Sequence, residues 1–132
     1  MKDCIFCKII RREIPGNIID ETDDIIVFLS LNNHPLIVPK KHLENIYELD
    51  DKTGEAVMRE AIKISKAVKK GLKADGINLL QNNEEAGGQD VFHFHLHIKP
   101  RFKKDAVKIQ FPDEENAQDK TQTVLEKIKS AL

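Results

Sequence analysis

Apolar residues in the first third of the chain fall in short runs that Asp, Asn, Pro and Gly interrupt. The runs form the segments NIID, DIIVFLS and PLIVPK, and their β-branched residues are typical of strands. Ahead of them, the segment CIFCKIIRREIPGN predicts a short helix that stops at Pro15 and Gly16. This part of the sequence therefore predicts a short N-terminal helix followed by three strands.

The pattern changes to helical spacing between Asp51 and Lys73. Apolar residues recur there on one side of a helix, at Val57, Ala61, Ile64, Val68 and Leu72. We expect this stripe to pack on a sheet, while the lysines and glutamates of the segment face solvent.

Two further strands are predicted after the long helix. They comprise DGINLLQN and DVFHFHLHIKP, and the loop NEEAGG joins them. Beyond Pro112, the chain ends in a predicted helix with Ala117, Val124 and Ile128 on one side. Strands that are separated by short loops, with one long helix between the two groups, indicate an α+β fold built on an antiparallel sheet of about five strands.

The last predicted strand carries three histidines within five residues. Because successive side chains of a strand point to opposite faces, His93, His95 and His97 share one face. The other face carries apolar residues that we expect to pack under the long helix, namely Phe92, Phe94, Leu96 and Ile98.

The histidine face is open to three interpretations. It could be a solvated polar surface, but Thr, Lys and Glu are the usual residues of such a surface. It could be a metal site, because two histidines in an H-x-H motif on a strand can bind one ion. It could also support phosphoryl chemistry, with one imidazole as the nucleophile. The last two interpretations are compatible if different histidines serve each purpose.

The composition excludes several classes of protein. With 132 residues, of which 40% are hydrophobic and 33% charged, the chain is expected to form one soluble globular domain. A net charge of −1 provides no broad field to attract nucleic acid or an anionic membrane. The N-terminus lacks the apolar segment of a signal peptide, and the apolar run IIVFL is too short to span a bilayer. We therefore expect a cytoplasmic protein without nucleic-acid or membrane partners.

The two cysteines of the chain, Cys4 and Cys7, form a C-x-x-C motif. A permanent disulfide is not expected in a reducing compartment, and a thioredoxin-like redox pair would need a preceding strand. Two thiolates at this spacing can occupy adjacent corners of a zinc tetrahedron, and histidines are the obvious source of the other two ligands. The alternative is a pair of small buried thiols in the N-terminal helix.

The segment AGGQD, just ahead of the histidines, has features of a phosphate-binding loop. Its two glycines allow backbone amides to approach an anion closely, and Gln89 adds a neutral hydrogen-bond donor. No carboxylate pair at metal-ligand spacing lies nearby in the sequence, so a two-metal hydrolase is not indicated. Together with the histidines, the loop favours a site for a phosphorylated ligand.

The segment QDVFHFHLHI resembles the signature of the histidine triad (HIT) family, in which three histidines alternate with apolar residues. The segments VPKKH, QNN and KIIRREIP and the C-x-x-C motif also occur in the order expected of zinc-containing bacterial HIT proteins. The resemblance covers roughly residues 1–102, which we expect to form the HIT domain. Residues 103–132 match no motif and are expected to be a helical extension of the same domain.

The resemblance implies a HIT-like fold, a homodimer, and a purine nucleotide as substrate. The implied activity is hydrolysis or transfer at the α-phosphate of nucleoside 5'-monophosphate conjugates, such as phosphoramidates and acyl-adenylates. It would proceed through a covalent nucleotidyl-histidine intermediate. The alternatives are a dinucleoside polyphosphate hydrolase and a nucleotide-binding regulatory protein with little turnover.

The resemblance also implies roles for individual residues. His95, the central histidine, would be the nucleophile, and His97 and His34 would contact phosphoryl oxygens or the leaving group. The nucleotide-binding set would comprise Ser30, Asn82, Gly88 and Gln89 at the ribose and phosphate, and Phe6 and Phe28 at the base. The family usually has Asp at the position of Ser30, and some members have Ser at that of Asp90.

Members with this C-x-x-C motif hold zinc through it, through the histidine of the PKKH motif and through the first triad histidine. The resemblance therefore implies one structural zinc ion per chain, with Cys4, Cys7, His42 and His93 as its ligands. This assignment leaves His95 free for chemistry.

Overall fold

The computed structural model describes residues 3–109 and 121–132. In chain order, its elements are α1 (Ile5–Ile10), β1 (Ile18–Glu21), β2 (Ile25–Leu29), β3 (Pro35–Pro39), a 3₁₀ turn (Ile46–Glu48), α2 (Asp51–Gly71), β4 (Gly76–Leu80), β5 (Leu96–Arg101) and α3 (Thr121–Ser130). The strands form one five-stranded antiparallel sheet in the order β1-β2-β3-β5-β4. The predicted α+β fold is confirmed, with its long central helix and its short N-terminal and C-terminal helices.

The neighbouring interior strands β2 and β3 are buried on both faces of the sheet. Ile25 and Val27 pack in the cluster under α2, whereas Ile26 and Phe28 pack in a second cluster with Phe6 of α1. Consecutive residues therefore enter different cores. This explains why the sequence of β2 is a continuous apolar run rather than an alternating one.

Helix α2 covers one face of the sheet with the predicted stripe. The Asp50 side chain accepts a hydrogen bond from the Thr53 amide (2.7 Å) and so caps the start of the helix. The buried members of the stripe are Val57, Ala61, Ile64 and Val68. The prediction was wrong for Leu72, which is 52% exposed. The helix ends at Gly71, and the chain turns away at Lys73, whose φ is 53°.

The last strand begins at Leu96 and not at Asp90, as the alternating pattern had predicted. The backbone carbonyl of His93 accepts a hydrogen bond from the His95 ring (2.8 Å), so a sheet ladder does not use it. Phe94 remains buried, as do Leu96 and Ile98 further along. The expectation that Phe92 packs in the core was wrong, because this side chain is 46% exposed.

The predicted ends of the terminal helices need correction. Helix α1 stops at Ile10, well before Pro15, and Arg12 has a left-handed φ of 62°. In α3, Val124 and Ile128 are exposed, whereas Ala117 lies outside the described residues. Among the helices of the described ranges, none is long and apolar enough to cross a membrane.

Candidate functional site

Four side chains from three separate segments of the sequence meet at the N-terminal end of α1. Cys4 lies at the cap of this helix and Cys7 lies within it, so that one turn brings both sulfurs to the same side. His42 follows β3, and His93 precedes β5. The ligand atoms of the four residues lie within 4.8 Å of one another.

The distances in this cluster suit a tetrahedral ion. The sulfur of Cys7 lies 3.3 Å from Nδ1 of His42 and 3.6 Å from Nδ1 of His93, and that of Cys4 lies 3.5 Å from Nδ1 of His93. A sulfur at about 2.3 Å and a nitrogen at about 2.0 Å from one tetrahedral zinc ion stand about 3.5 Å apart. The four residues therefore form a possible zinc site.

The surroundings of His93 keep one ring nitrogen available to a metal. Its Nε2 donates a hydrogen bond to the carbonyl of Pro39 (2.8 Å), which directs the lone pair of Nδ1 towards the thiols. Burial lowers the pKa of His93 to about 4, so the ring is neutral at physiological pH. A neutral imidazole, oriented through its other nitrogen, is the form in which histidine binds metals.

A separate cavity of about 380 Å³ opens beside the cluster, between α1 and the sheet. Its apolar wall includes Phe6, Ile9, Ile14, Phe28 and Leu36. Its polar wall includes His34, His95 and His97. The cavity therefore combines an apolar surface with a concentration of imidazoles, as expected of a small-molecule site.

His95 is held in one orientation at the cavity wall. Its Nδ1 donates a hydrogen bond to the backbone carbonyl of His93 (2.8 Å), and its ring packs edge-on against Phe6, with the centroids 5.1 Å apart. When the ring is neutral, the hydrogen is therefore on Nδ1, and Nε2 carries a free lone pair. This Nε2 lies 3.5 Å from a carboxylate oxygen of Asp90, which also lines the cavity.

His34 and His97 form a hydrogen-bonded pair beside His95. Nε2 of His34 lies 2.8 Å from Nδ1 of His97, and Nδ1 of His34 lies 3.1 Å from the hydroxyl of Ser30. Burial, followed by repulsion from His95, lowers the pKa of His97 to about 4. Burial, followed by repulsion from Lys99, also lowers the pKa of His34. Both rings are therefore neutral near pH 7.

The predicted nucleotide-binding residues divide into two groups in space. Phe6, Phe28 and Ser30 line the cavity together with the three histidines described above. Asn82, Gly88 and Gln89 are not among the lining residues.

The loop that holds these three residues uses its polar groups internally. The side chain of Asn82 donates a hydrogen bond to the carbonyl of Gly88 (3.1 Å). The side-chain Nε2 of Gln89 donates to the carbonyls of Glu44 (2.6 Å) and Val91 (3.2 Å). In this conformation, the side chain of Gln89 stabilises its own loop. The predicted contact of Gln89 with phosphate would require this loop to rearrange.

Two asparagines of the cavity wall were missed by the sequence interpretation. Asn17 lies just before β1 and Asn32 lies in the β2–β3 turn. Both segments look like ordinary turns in the sequence. Only the packing of α1 against the sheet reveals that they face the same cavity.

Comparison with known proteins gives the same picture. A family model, the HIT domain, matches residues 11–104. The protein called Protein hit from Bacillus subtilis is 39% identical over 107 residues, which represent 78% of this chain and 74% of the relative. The adenosine 5'-monophosphoramidase of Saccharomyces cerevisiae is 36% identical over 122 residues, or 89% of this chain and 75% of the relative. An adenylylsulfatase of Arabidopsis thaliana is 39% identical over 109 residues, or 80% of this chain and 55% of the relative.

Solved structures agree with these relatives. A protein from Streptococcus mutans superposes with a TM-score of 0.91 at 36% identity, and the match covers 99% of this chain and 86% of that one. A zinc-bound histidine triad protein from Mycobacterium smegmatis superposes with a TM-score of 0.76 at 29% identity, over 99% of both chains. The match of the family model and the identity to these relatives show that the chain belongs to the HIT family.

Proposed function

We propose that this protein is a nucleotide hydrolase or transferase that acts at the α-phosphate of nucleoside 5'-monophosphate conjugates. The observation that carries the proposal is the orientation of His95. The backbone carbonyl of His93 holds its Nδ1, and its Nε2 is directed into a cavity that also contains His34 and His97. An unprotonated, oriented imidazole nitrogen is a competent nucleophile near neutral pH.

The reaction would proceed in two displacements. In the first, the Nε2 lone pair of His95 forms a bond to the α-phosphorus, while the bond from phosphorus to the leaving nitrogen or oxygen breaks and the leaving group takes up a proton. In the second, a water oxygen attacks the same phosphorus, the bond between phosphorus and Nε2 breaks, and the water releases a proton. His97 would donate a hydrogen bond to the charged phosphoryl oxygens, which would lower the barrier in both steps.

The shape of the cavity supports a nucleoside as the bound group. Phe6 and Phe28 pack edge to face, with centroids 5.2 Å apart, and offer aromatic surface to a base. Because the yeast and plant relatives bear names of enzymes that act on adenosine compounds, a purine nucleotide is the favoured substrate. Asn82, Gly88 and Gln89 remain the predicted phosphate contacts, after rearrangement of their loop.

We further propose that Cys4, Cys7, His42 and His93 hold one structural zinc ion per chain. A zinc ion with four protein ligands has no open position and therefore stabilises structure instead of activating water. The zinc-bound relative from Mycobacterium smegmatis supports this assignment. Held in this way, His93 fixes the backbone whose carbonyl orients His95.

A homodimer is proposed on two exposed apolar surfaces. Strand β4 is an edge of the sheet and exposes Leu79 and Leu80, while α2 exposes Met58 and Ile62 beside its core stripe. A self-complementary interface would cover such surfaces. Light scattering at micromolar concentration should give twice the mass of one chain, and the mass of a single chain would contradict the dimer.

A parallel assay tests the proposed activity. Turnover of adenosine phosphoramidate, of an acyl-adenylate and of a diadenosine polyphosphate should be measured with the zinc-loaded full chain. We expect the first two to be hydrolysed fastest. Preference for the polyphosphate would support the alternative of a dinucleoside polyphosphate hydrolase, whereas tight nucleotide binding without turnover would support a regulatory protein.

The cytoplasmic location, and a division into a HIT domain at residues 1–102 with its extension at 103–132, remain predictions.

A further inference from the structure

The hydroxyl of Ser30 closes the tight turn between β2 and β3. Its oxygen accepts hydrogen bonds from the backbone amides of Asn32 (3.2 Å) and His34 (3.3 Å). The turn is completed by backbone bonds from the Ser30 amide to the carbonyl of His34 (2.9 Å) and from the Asn33 amide to the carbonyl of Ser30 (3.0 Å). Ser30 is therefore an integral part of this turn as well as of the cavity wall.

The two bonds to the hydroxyl oxygen determine where its hydrogen is directed. A hydroxyl group has two acceptor lone pairs and one donor hydrogen. The amides of Asn32 and His34 use both lone pairs. The remaining neighbour of the oxygen is Nδ1 of His34, 3.1 Å away. This leaves the hydroxyl hydrogen for Nδ1, which can accept it when the ring carries its own hydrogen on Nε2.

This bond sets the hydrogen positions on two histidines. With Nδ1 as an acceptor, a neutral His34 carries its hydrogen on Nε2 and donates it to Nδ1 of His97, 2.8 Å away. His97 then carries its own hydrogen on Nε2. Burial keeps both rings neutral, since it lowers the pKa of His97 to about 4 and lowers that of His34 as well.

We propose that Ser30 is a positioning residue which, through His34, holds His97 as an Nε2–H donor towards a phosphoryl group in the cavity. The catalytic meaning of this inference rests on the proposed function, and the role differs from the ribose contact that the family resemblance implies for Ser30. His95 is held in the opposite way, with the hydrogen on Nδ1 and the lone pair on Nε2. The site thus contains one imidazole nucleophile and one imidazole donor. The carbonyl of His93 sets the tautomer of the nucleophile His95, and the hydroxyl of Ser30, through His34, sets that of the donor His97.

The competing arrangement places the hydrogen of His34 on Nδ1. Burial lowers the pKa of His34, and a hydrogen bond between the ring and the backbone of Asn32 partly offsets this effect and favours the competing arrangement. The hydrogen bond between His34 and His97 would then run in the opposite direction, from Nδ1 of His97 to Nε2 of His34. His97 would then present the lone pair of an unprotonated Nε2 to the phosphoryl oxygens, and the lone pair would repel these oxygens.

Two substitutions at Ser30 separate a structural role in the turn from control of the tautomers. Both Ser30→Thr and Ser30→Asp retain a side-chain oxygen that can accept from the turn amides. Threonine also retains the hydroxyl hydrogen, whereas an ionised aspartate can only accept. A residue that served the turn alone would tolerate either substitution. A residue that sets the tautomers tolerates only threonine.

Imidazole nitrogen chemical shifts in the zinc-loaded full chain report which nitrogen carries the hydrogen. Signals of His34 and His97 would be assigned with the single variants His34→Gln and His97→Gln. We expect Nε2–H on both rings in the wild type and in Ser30→Thr, and Nδ1–H on His34 in Ser30→Asp. Nδ1–H on His34 in the wild type, or unchanged tautomers in Ser30→Asp, would overturn the inference.

Steady-state kinetics with a nucleoside phosphoramidate test the catalytic meaning. We expect Ser30→Asp to lower kcat by about 10- to 100-fold with little change in KM, as when a hydrogen-bond partner that orients a histidine is removed. Ser30→Thr, which keeps the donor hydrogen, should retain much more of the wild-type kcat than Ser30→Asp. Reversed tautomers with an unchanged kcat would overturn the catalytic role. If the wild type turns over no nucleotide conjugate, the proposed function fails, and the chemical shifts still decide the tautomer assignment.

Discussion

The metal cluster and the cavity use histidines from the same short segment, but they use them differently. His93 turns Nδ1 towards two thiols and donates from Nε2 to the carbonyl of Pro39. His95, two residues later, donates from Nδ1 to the carbonyl of His93 and leaves Nε2 for the cavity. The chemical group is the same, and its role is set by which ring nitrogen the backbone engages.

The two regions also differ in what completes them. The cluster is completed by helix α1 and its cap residue, which supply the two sulfurs, and by His42 beyond β3. The cavity is completed by the β2–β3 turn, which supplies Ser30 and His34. A change at the cavity should therefore leave the metal cluster largely intact, whereas the loss of a metal ligand should also disturb His95, whose ring is bonded to the carbonyl of His93. The predictions below test this separation, from the largest expected effect to the smallest.

Removal of the nucleophile should have the largest effect. His95→Ala should lower kcat by about 10⁴- to 10⁶-fold, comparable to the loss of other covalent catalytic residues, because the other two imidazoles of the cavity wall, His34 and His97, are hydrogen-bonded to each other. Nucleotide binding and zinc content should remain near wild type. Single-turnover kinetics, equilibrium binding and metal analysis measure the three quantities. A variant that keeps wild-type turnover, or that loses its zinc, would contradict the separate roles of His93 and His95.

Removal of a metal ligand should affect stability first. His93→Ala and Cys7→Ser should each reduce zinc from about one ion per chain to near zero, because a closed site depends on all its ligands. Since the binding energy of a structural metal is partly folding energy, the melting temperature should fall by about 10 °C or more. Metal analysis and thermal unfolding, with and without a chelator, check this. Chelation that leaves the melting temperature of the wild type unchanged would contradict a structural metal.

The buried histidines of the cavity should make stability depend on pH. The ordinary pKa of histidine is 6.5, and burial lowers that of folded His97 to about 4. Between these values, the unfolded chain binds a proton that the folded chain excludes, so the free energy of unfolding decreases as the pH falls from 6.5 towards 4. His34 contributes in the same direction.

Urea unfolding of the wild type and of His97→Gln, at about pH 7 and about pH 5, isolates the share of His97. We expect the variant to lose less stability than the wild type over this interval. Protons taken up at the metal cluster affect both proteins equally and cancel in the comparison. An equal loss in the two proteins would show that His97 is not the group that titrates.

The smallest expected effect concerns Asp90. Its carboxylate lies 3.5 Å from Nε2 of His95 and should repel the phosphate of a bound nucleotide. Because the side chain is exposed, solvent and salt weaken this repulsion. Asp90→Asn should therefore tighten nucleotide binding by only about three- to tenfold, and the gain should shrink at high salt. Titration calorimetry at two salt concentrations measures it, and weaker binding by the variant would show that the carboxylate contacts the ligand favourably.

Most elements could be predicted because their signals are local. The stripe of α2 and the β-branched runs of the strands follow from periodicity alone. The errors at Phe92 and Leu72 occur where an element ends, and at such points the pattern continues although the backbone has changed direction. Near Phe92, the alternating pattern had predicted a strand with backbone hydrogen bonds. The carbonyl of His93 instead accepts a hydrogen bond from the His95 ring, and the strand begins only at Leu96.

The sequence by itself determined the kinds of chemistry that are available. The C-x-x-C motif indicated a zinc site with histidines as further ligands, and the resemblance to the HIT family implied which histidines bind the ion and which one is the nucleophile. The structure brings Cys4, Cys7, His42 and His93 together as expected. These signals survive in one dimension because each depends on residue type and on spacing over a helical turn or a strand.

Only the tertiary structure decided which nitrogen of each ring is available and which loops face the cavity. The carbonyls of His93 and Pro39 and the hydroxyl of Ser30 select the tautomers through contacts across β3, β5 and the β2–β3 turn. The same packing turns the polar groups of Gln89 inwards, although its sequence context resembles a phosphate-binding loop. Hydrogen-bond directions depend on positions in space to within a few tenths of an ångström, and no pattern of residue types along the chain contains that information.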